Sequence, residues 1–400
     1  MNQIGERYLY VKNGDAALQV ESIFELEGQT ANGPDEFLAD FLNSVQGNSV
    51  LFLSIFKDSK KHVKIDNVEA QCFPSSVKGL GALGTLLARK RFFIAGMYKA
   101  LKFKPTRIIC VRRGSILWLF YLLGKLYRIP VIYVSHDKIK LHTSNLIMRL
   151  LYALDEYCIR DMGCCVCQGE FTYNELLSAG VNHSAIRRFD ASYRYIYEKS
   201  RSYVKKEINE PQRNVILYVG RIEKNKGVLD LITACAPILK NHAELQLIYA
   251  GIGDASFEIQ KRSKELKIDN QVTVLGSVPY SEIPALMVSA KVLVTPTRES
   301  FHEGHRHGVV EGFMFGLPVI APNSGPYPYY VSHNTNGLLY EPDSVADLAS
   351  KLALIMNDND FLQKLSKGAL EFGEGVVDPE TSFGSAINEA FGLAIERLKQ

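Results

Sequence analysis

The sequence predicts an α/β protein made of two doubly wound domains, each with a parallel β-sheet covered by helices on both faces. Three observations lead to this prediction. The chain has 400 residues, more than a single hydrophobic core usually supports. Apolar, strand-like runs alternate with helix-length segments along almost the whole chain, a pattern typical of parallel sheets. A polar segment near the middle separates two such series.

The predicted strands are short apolar runs, which are typical of strands buried on both faces of a sheet. In the first half they are Ala17 to Phe24, Ser49 to Phe56, Arg107 to Val111, Pro130 to Ser135 and Cys164 to Gln168. In the second half they are Asn214 to Gly220, Leu245 to Gly251, Gln271 to Leu275, Val292 to Pro296 and Pro318 to Ala321. Each half is therefore predicted to contain one doubly wound sheet.

The interdomain linker is predicted within Tyr197 to Arg213, a polar stretch without an apolar period that carries Pro211 just before a strand. We therefore place an N-terminal domain at residues 1–210 and a C-terminal domain at residues 211–378. Residues 379–400 contain a helix-length pattern. The sequence leaves open whether this last helix crosses back to the first domain.

Charge is distributed unevenly along the chain. Residues 1–210 hold 29 Lys and Arg against 21 Asp and Glu, whereas residues 211–400 hold 17 against 22. Between Ala70 and His136 there are twelve basic residues and no acidic one, which favours an anionic surface as partner. Within this stretch, residues 79–104 interleave apolar and basic side chains as a helix lying on a membrane surface does, with an ordinary domain helix as the alternative.

Neither a membrane span nor a secretory signal is predicted. The most apolar run, Gly114 to Gly124, has 11 residues, against about 20 in a membrane helix. Met1 to Tyr10 lacks a basic end followed by an apolar core, so a cytoplasmic protein is expected. Cys164, Cys165 and Cys167 lack the spacing of metal or redox pairs and are predicted to be apolar strand residues.

Two motifs in the second half carry the predicted chemistry. In the first, a strand ends in Gly220-Arg221 and a helix begins after Lys226, so that both cations can reach one anion. A solvated loop with two ordinary basic residues is the alternative.

The second motif runs from Pro296 to Pro322, where a strand ends and a loop with Glu303 and Gly304 leads to a helix predicted to begin near Arg306. Free N–H groups at the start of a helix bind phosphate, and Gly304 permits close approach. Glu311 lies farther along the helix, where an ionised carboxylate can accept hydrogen bonds from ribose hydroxyls.

These residues resemble glycosyltransferase family 4. The resemblance rests on the Gly-Arg and Lys segment and on two glutamates followed by Gly-Leu-Pro-Val-Ile-Ala, and it is specific from about Val215 to Pro342. It implies a GT-B fold, in which two Rossmann-like domains face each other across a donor-binding cleft, with the acceptor on the side of the first domain. It also implies retention of anomeric configuration without a metal ion or other cofactor.

The resemblance further implies residue roles. Arg221 and Lys226 match residues that contact the diphosphate of the donor, Glu303 matches one that touches the donor sugar, and Glu311 matches one that holds the ribose. Where the family often has Gly-Phe-Gly, this chain has Gly304-His305-Arg306-His307. His305, Arg306 and His307 are therefore candidates for further phosphate or sugar contacts, with orientation of the histidines to solvent as the alternative.

The first domain offers two further candidates. Gly33 belongs to a segment, Gly28 to Pro34, that resembles the family's glycine-containing loop facing the donor, and a plain turn is the alternative. His136 follows the strand Val131 to Ser135 and resembles the family's strand-end histidine beside the reacting sugar. A strand end is where ligand sites lie in open α/β sheets, so His136 is expected to contact the sugar or orient the acceptor.

The motifs and the resemblance together predict a retaining hexosyltransferase that uses a nucleotide diphosphate sugar, UDP-glucose or UDP-GlcNAc, to extend a lipid-linked or oligosaccharide acceptor in polysaccharide biosynthesis. A hexose-2-epimerase on the same fold and a nucleotide-sugar-binding protein without turnover are the alternatives. No nucleic-acid partner is expected. A metal ion is not expected either, because Asp358-Asn-Asp360 sits in the opening of a late helix, where such residues serve as caps.

Overall fold

The structure is a computed structural model of the 400-residue chain. It describes residues 5–25, 35–56, 61–75, 81–111, 117–135, 146–189, 200–201, 214–301, 307–375 and 382–399. The chain forms two compact units, one of residues 1–192 with 379–400 and the other of residues 193–378. Most of the predicted linker, Tyr197 to Arg213, lies outside the described residues.

The first unit contains an eight-stranded sheet whose strands lie in the order β3-β4-β2-β1-β5-β6-β7-β8. All neighbours are parallel except β3 and β4. The strands are β1 (Arg7–Asn13), β2 (Ser49–Phe56), β3 (His62–Ile65), β4 (Val68–Pro74), β5 (Arg107–Cys110), β6 (Val131–Ser135), β7 (Cys165–Gln168) and β8 (Ile186–Phe189). Cys165 and Cys167 are buried in β7, as predicted for apolar strand residues.

Helices cover both faces of this sheet. They are α1 (Ala16–Glu25), α2 (Asp35–Ser44), α3 (Gly81–Phe103), α4 (Leu117–Tyr127), α5 (Leu146–Asp161) and α6 (Gly169–Ser178). Side chains alternate across β1, so that Leu9 joins one core cluster with α3, α4, α5 and α6, whereas Tyr8 joins another with α1 and α2. The helices therefore form two layers, one on each face of the sheet.

One predicted strand is wrong. Ala17 to Phe24 lies in α1, and the strand that opens the fold is β1, just before it. The buried residues Ala17, Val20 and Ile23 repeat every three residues, which is a helical period that a short apolar run can hide. The sequence analysis also missed β3, β4, β8 and the last strand of the second unit, because strands of four residues, or strands with interleaved polar residues, give a weak signal.

The second unit contains a six-stranded sheet, parallel throughout, in the order β11-β10-β9-β12-β13-β14. The strands are β9 (Val215–Val219), β10 (Gln246–Ala250), β11 (Val272–Gly276), β12 (Ala290–Val294), β13 (Val319–Pro322) and β14 (Gly337–Tyr340). The helices are α7 (Val228–Asn241), α8 (Ser256–Glu265), α9 (Ile283–Ser289), α10 (His307–Met314), α11 (Val345–Asn357) and α12 (Asn359–Gly375). The predicted α/β class with two doubly wound domains is confirmed.

The last helix, α13 (Phe383–Lys399), belongs to the first unit. The backbone N–H of Gly384 donates to Asp40 Oδ2 on α2 at 2.7 Å, and the ring of Phe391 packs edge-on against Tyr8 with centroids 5.8 Å apart. A Cβ at Gly384 would lie 2.7 Å from the Cβ of Ser44, so only glycine lets the two helices approach this closely. The chain therefore returns from the second unit to the core of the first.

Candidate functional site

The strand order of the second unit places both predicted motifs at one point of its sheet. From β9 the chain first builds outward through β10 and β11 and then returns to add β12 on the other side of β9. Ligands bind at such a switch point, at the carboxyl ends of the strands, because the following loops diverge there and leave a crevice. The Arg221 loop follows β9 and the loop that leads to α10 follows β12.

Glycines allow these loops to pack closely. Gly227 has φ +67°, and a Cβ there would lie 1.7 Å from the carbonyl oxygen of Pro296. The two loops are also joined by a hydrogen bond from the N–H of Arg298 to the carbonyl of Asn225 (3.1 Å). Any residue other than glycine at position 227 would push the loops apart.

The two cations of the first motif lie beside one aromatic ring. Lys226 Nζ is 4.5 Å from the centroid of Phe301, and Arg221 Cζ is 5.7 Å from the same centroid. Lys226 is buried, with 8% of its surface exposed, whereas the Arg221 side chain is 59% exposed and pairs with Glu223 at 2.7 Å. A ring near both cations attracts each of them by cation–π interaction and so keeps their charges close together.

Phe301 was missed by sequence reasoning. It immediately precedes the His302 to Arg306 loop that carries the predicted donor contacts, and an aromatic residue in a loop beside a predicted anion site is the signal that could have identified it. Arg298 lies in the same loop, and its guanidinium donates two hydrogen bonds of 2.8 Å to the carboxylate of Asp230. That ion pair anchors the loop to α7.

Glu311 is a buried carboxyl on α10. Only 6% of its surface is exposed, and the hydroxyl of Tyr280 donates a hydrogen bond to Glu311 Oε1 at 2.8 Å. Burial raises the pKa of Glu311 to about 7, although the hydrogen bond from Tyr280 opposes this shift. A buried carboxyl of this kind can lose its proton, and the carboxylate can then accept hydrogen bonds from hydroxyl groups of a ligand.

Tyr280 is the second residue that the sequence did not identify. It opens a short 3₁₀ turn (Tyr280–Glu282) between β11 and α9, and its distance from Glu311 along the chain gave no local spacing to detect. Two further buried atoms at the switch point, Asn225 Oδ1 and Thr295 Oγ1, have no hydrogen-bond partner in the part of the chain that the structure describes. Buried polar atoms without partners are uncommon and occur at ligand and water sites.

Several predicted site residues lie outside the described residues. These are Gly33, His136, Glu303, Gly304, His305 and Arg306, and the side chain of His307 lies outside them as well. Strand β6 is described up to Ser135, the residue before His136, and α10 is described from His307. The roles assigned to these residues remain predictions.

One feature that the sequence analysis discounted as a metal site behaves as expected. Asp358 accepts a hydrogen bond from the N–H of Phe361 (2.9 Å) and so caps α12, as predicted. Gly251 and Gly253 serve loop packing, because a Cβ at either position would lie within 2.0 Å of a carbonyl oxygen of the Gly220 to Ile222 segment. Within the described ranges, no three His, Cys, Asp or Glu side chains are grouped as metal ligands.

Residues 200–372 match the family described as Glycosyl transferases group 1. This part of the chain, less than half of its length, is similar to that family. The resemblance inferred from the two motifs is thereby confirmed, and the switch-point loops lie inside the matched segment.

Curated relatives match over part of the chain only. A GDP-mannose-dependent α-(1-6)-phosphatidylinositol monomannoside mannosyltransferase of Mycobacterium tuberculosis is 30% identical over 165 residues, which are 40% of this chain and 43% of that protein. A 2-deoxystreptamine glucosyltransferase of Streptomyces kanamyceticus is 30% identical over 157 residues, 39% of this chain and 40% of that protein. The match to these relatives thus spans less than half of their length.

Solved structures match over nearly the whole chain and establish the fold. A sucrose-phosphate synthase from Thermosynechococcus elongatus has a TM-score of 0.72 at 15% identity and covers 98% of this chain and 100% of its own. The Anabaena protein HepE in complex with UDP has a TM-score of 0.69 at 16% identity and covers 97% and 100%. The chain therefore has the GT-B fold that the resemblance implied.

Proposed function

We propose that this chain is a retaining glycosyltransferase that moves a hexose from a nucleotide diphosphate sugar to a lipid-linked or oligosaccharide acceptor in polysaccharide biosynthesis. The observation that carries the proposal is the pair of cations, Arg221 and Lys226, held beside Phe301 at the switch point of a glycosyl transferases group 1 domain.

The two cations suit the leaving group of this reaction. When the bond between sugar and diphosphate breaks, negative charge accumulates on the diphosphate, and a preorganised cation lowers the barrier because it needs no reorganisation at that moment. Lys226 is buried, so its charge acts with little screening by solvent. Arg221 is more exposed and adds hydrogen-bond donors that match phosphate oxygens. These two charges support a transfer that proceeds without a metal ion.

Glu311 suits the nucleoside part of the donor. Its carboxyl is buried on α10 and has the Tyr280 hydroxyl as its partner. We assign it to the ribose, whose two hydroxyls can each donate to the ionised carboxylate. Glu303 is assigned to the donor sugar, and His136 to the sugar or the acceptor, as the resemblance implies.

The donor is proposed to be UDP-glucose or UDP-GlcNAc. HepE, which has the same fold, is described in complex with UDP and glucose, whereas the mycobacterial relative is GDP-mannose-dependent. The nucleobase must therefore be tested directly rather than taken from either protein.

The test is incubation of the full chain with UDP-glucose, UDP-GlcNAc and GDP-mannose, with and without a membrane lipid extract, while free nucleoside diphosphate is measured. We expect one donor to release nucleotide faster when acceptor is present, with EDTA having no effect. Arg221→Ala serves as the matched inactive control. Proton NMR of the product reports whether the anomeric configuration is retained.

The alternatives predict different results in the same assay. A hexose-2-epimerase would produce the 2-epimer of the sugar without any acceptor. A protein that binds without turnover would show nucleotide-sugar binding by calorimetry and no release of nucleotide with any donor. A strict requirement for Mn²⁺ or Mg²⁺ would contradict the metal-independent mechanism.

We further propose that the protein acts in the cytoplasm, peripherally at the inner face of the membrane, where a lipid-linked acceptor would be available. Among the helices that the structure describes, none combines the length and apolarity of a membrane span. We propose that contact with lipid is made through a surface of the folded protein.

A further inference from the structure

Exposed apolar side chains are concentrated in one helical layer of the first unit. Helices α3, α4 and α5 lie on the same face of the sheet, because Phe92, Phe120 and Ile159 join one core cluster with its strands. Ten of the nineteen large apolar side chains that are exposed in the described chain lie on these three helices. Single exposed apolar residues need no explanation, but such a concentration marks an interaction surface.

The exposed residues follow the outer side of each helix. On α3, Ala88, Phe92 and Ala100 are buried at spacings of four or eight residues, and Ile94 and Tyr98 are 58% and 66% exposed on another side. Helix α3 is thus both an ordinary core helix and a carrier of outward apolar side chains. The two interpretations that the sequence offered for this helix, a helix on a membrane surface and an ordinary domain helix, are therefore compatible.

Helices α4 and α5 add apolar residues that the sequence analysis did not consider. On α4, Leu122 is 51% exposed and Leu126, one turn later, is 76% exposed. On α5, Leu150 is 65% exposed and Tyr157, two turns later, is 59% exposed. The two helices pack together, since Lys125 of α4 pairs with Asp161 of α5 at 2.7 Å.

The charges around these apolar residues are mostly positive. The exposed cations of the three helices include Lys90, Arg91 and Lys102 on α3 and Arg149 and Arg160 on α5. Of the three acids on α5, Asp155 is buried, Glu156 is half-buried, and Asp161 pairs with Lys125. The cations are therefore left to attract an external anionic surface. Lys99 is excluded from this set because it pairs with Glu69 at 2.9 Å.

We propose that the outer sides of α3, α4 and α5 form one membrane-binding surface, hereafter the membrane face, whose partner is a bilayer containing anionic phospholipid. Leucine, isoleucine and tyrosine side chains interleaved with Lys and Arg are what an interfacial surface needs, since the apolar groups enter the headgroup boundary while the cations bind lipid phosphates. Three helices of one layer present their outer sides in the same direction, which suits a flat partner. This proposal rests on the peripheral membrane location proposed above and names the surface that would produce it, but it does not depend on the transfer reaction.

The experiment is sedimentation of the full chain with vesicles of phosphatidylglycerol and phosphatidylcholine, or of phosphatidylcholine alone, over a range of salt concentrations. We expect binding to the anionic vesicles only, and weaker binding at high salt because salt screens the attraction between the cations and the lipid.

Two variants separate the contributions. The triple variant Lys90→Gln, Arg91→Gln and Lys102→Gln should weaken binding to anionic vesicles about 100-fold at low salt, since each cation near an anionic surface adds to the attraction between protein and lipid. Leu126→Gln with Leu150→Gln should weaken it about tenfold and leave the salt dependence unchanged, because apolar burial is not screened.

The matched control is Phe257→Gln with Lys261→Gln. Both residues are exposed on α8 of the second unit, at 74% for Phe257 and 68% for the Lys261 side chain. The control should bind vesicles like the wild type. Thermal unfolding of all variants establishes that each is folded. The readout is vesicle binding, so the test requires no enzymatic activity.

Three results would overturn the proposal. Failure of the wild type to bind anionic vesicles at low salt would mean that the membrane face does not bind lipid. An equal loss of vesicle binding in the control and in the membrane-face variants would mean that binding does not depend on the membrane face. Dissociation of an oligomer by the Leu126→Gln and Leu150→Gln variant in gel filtration, with vesicle binding unchanged, would mean that this surface is an interface between protein chains.

Discussion

Glu311→Gln is expected to stabilise the ligand-free protein more as the pH rises. The substitution keeps the shape of the side chain and its ability to accept the hydrogen bond from Tyr280, but it removes the ionisable group. In the structure the carboxyl is buried, and burial raises its pKa from 4.5 to about 7. Ionisation of Glu311 therefore opposes folding at neutral pH, and glutamine does not ionise.

The sign and size of the effect follow from linkage. Between pH 4.5 and about 7, the folded protein keeps the proton that the unfolded chain has released, so the free energy of unfolding falls as the pH rises through this interval. The full shift corresponds to about 3 kcal/mol, since one pKa unit is about 1.36 kcal/mol. Of this, about 2 kcal/mol develops between roughly pH 5.5 and pH 8.

Calorimetric unfolding of wild type and Glu311→Gln across this pH range measures the effect. The slope against pH is read rather than the absolute difference, because the glutamine amide in a buried site adds a constant cost at every pH. Glu371→Gln on α12 is the control, since that glutamate side chain is 66% exposed. The control should follow the wild-type slope.

Parallel pH profiles for the wild type and Glu311→Gln would refute the reasoning, because they would mean that Glu311 has an ordinary pKa in the folded protein. Tyr280→Phe provides a second check. Loss of its hydrogen bond should raise the pKa of Glu311 further, so that the free energy of unfolding continues to fall to a higher pH than in the wild type. A shift to lower pH would mean that Tyr280 does not stabilise the ionised form.

Three other predictions concern the proposed donor site. Arg221→Ala and Lys226→Ala should each lower turnover by about 100-fold, an effect of about 3 kcal/mol on the developing diphosphate charge, and near-normal steady-state rates in both would contradict the assigned site. Glu311→Ala should mainly weaken nucleoside diphosphate binding, whereas Glu303→Ala should mainly lower kcat; equal losses of affinity by calorimetry would argue against this division. Phe301→Leu should weaken nucleotide binding about fivefold through loss of about 1 kcal/mol of cation–π attraction, and unchanged affinity would mean that the ring does not hold the cations.

The sequence predicted features that depend on neighbouring residues along the chain. Buried strands such as β2, β6 and β9 appeared as short apolar runs, and the two motifs at the ends of β9 and β12 were found because each joins a strand, a loop and a helix within about 15 residues. The helix α1 was mistaken for a strand because its apolar run is too short for the helical period of its buried residues to be recognised. Local patterns thus predicted the fold class, a division of the chain into two parts and the two cations of the proposed donor site.

Tertiary structure alone decided which distant residues meet and how water is excluded from them. Phe301 lies beside Arg221 and Lys226 because β9 and β12 are neighbours in the sheet, and Tyr280 reaches Glu311 only after α10 packs on the strands. The raised pKa of Glu311 is a consequence of burial, which no local spacing encodes. Likewise, the outward apolar residues of α3, α4 and α5 become one surface only when the three helices cover the same face of a sheet. Such contacts depend on strand order and side-chain packing, which are fixed by the sum of many weak interactions across the whole chain.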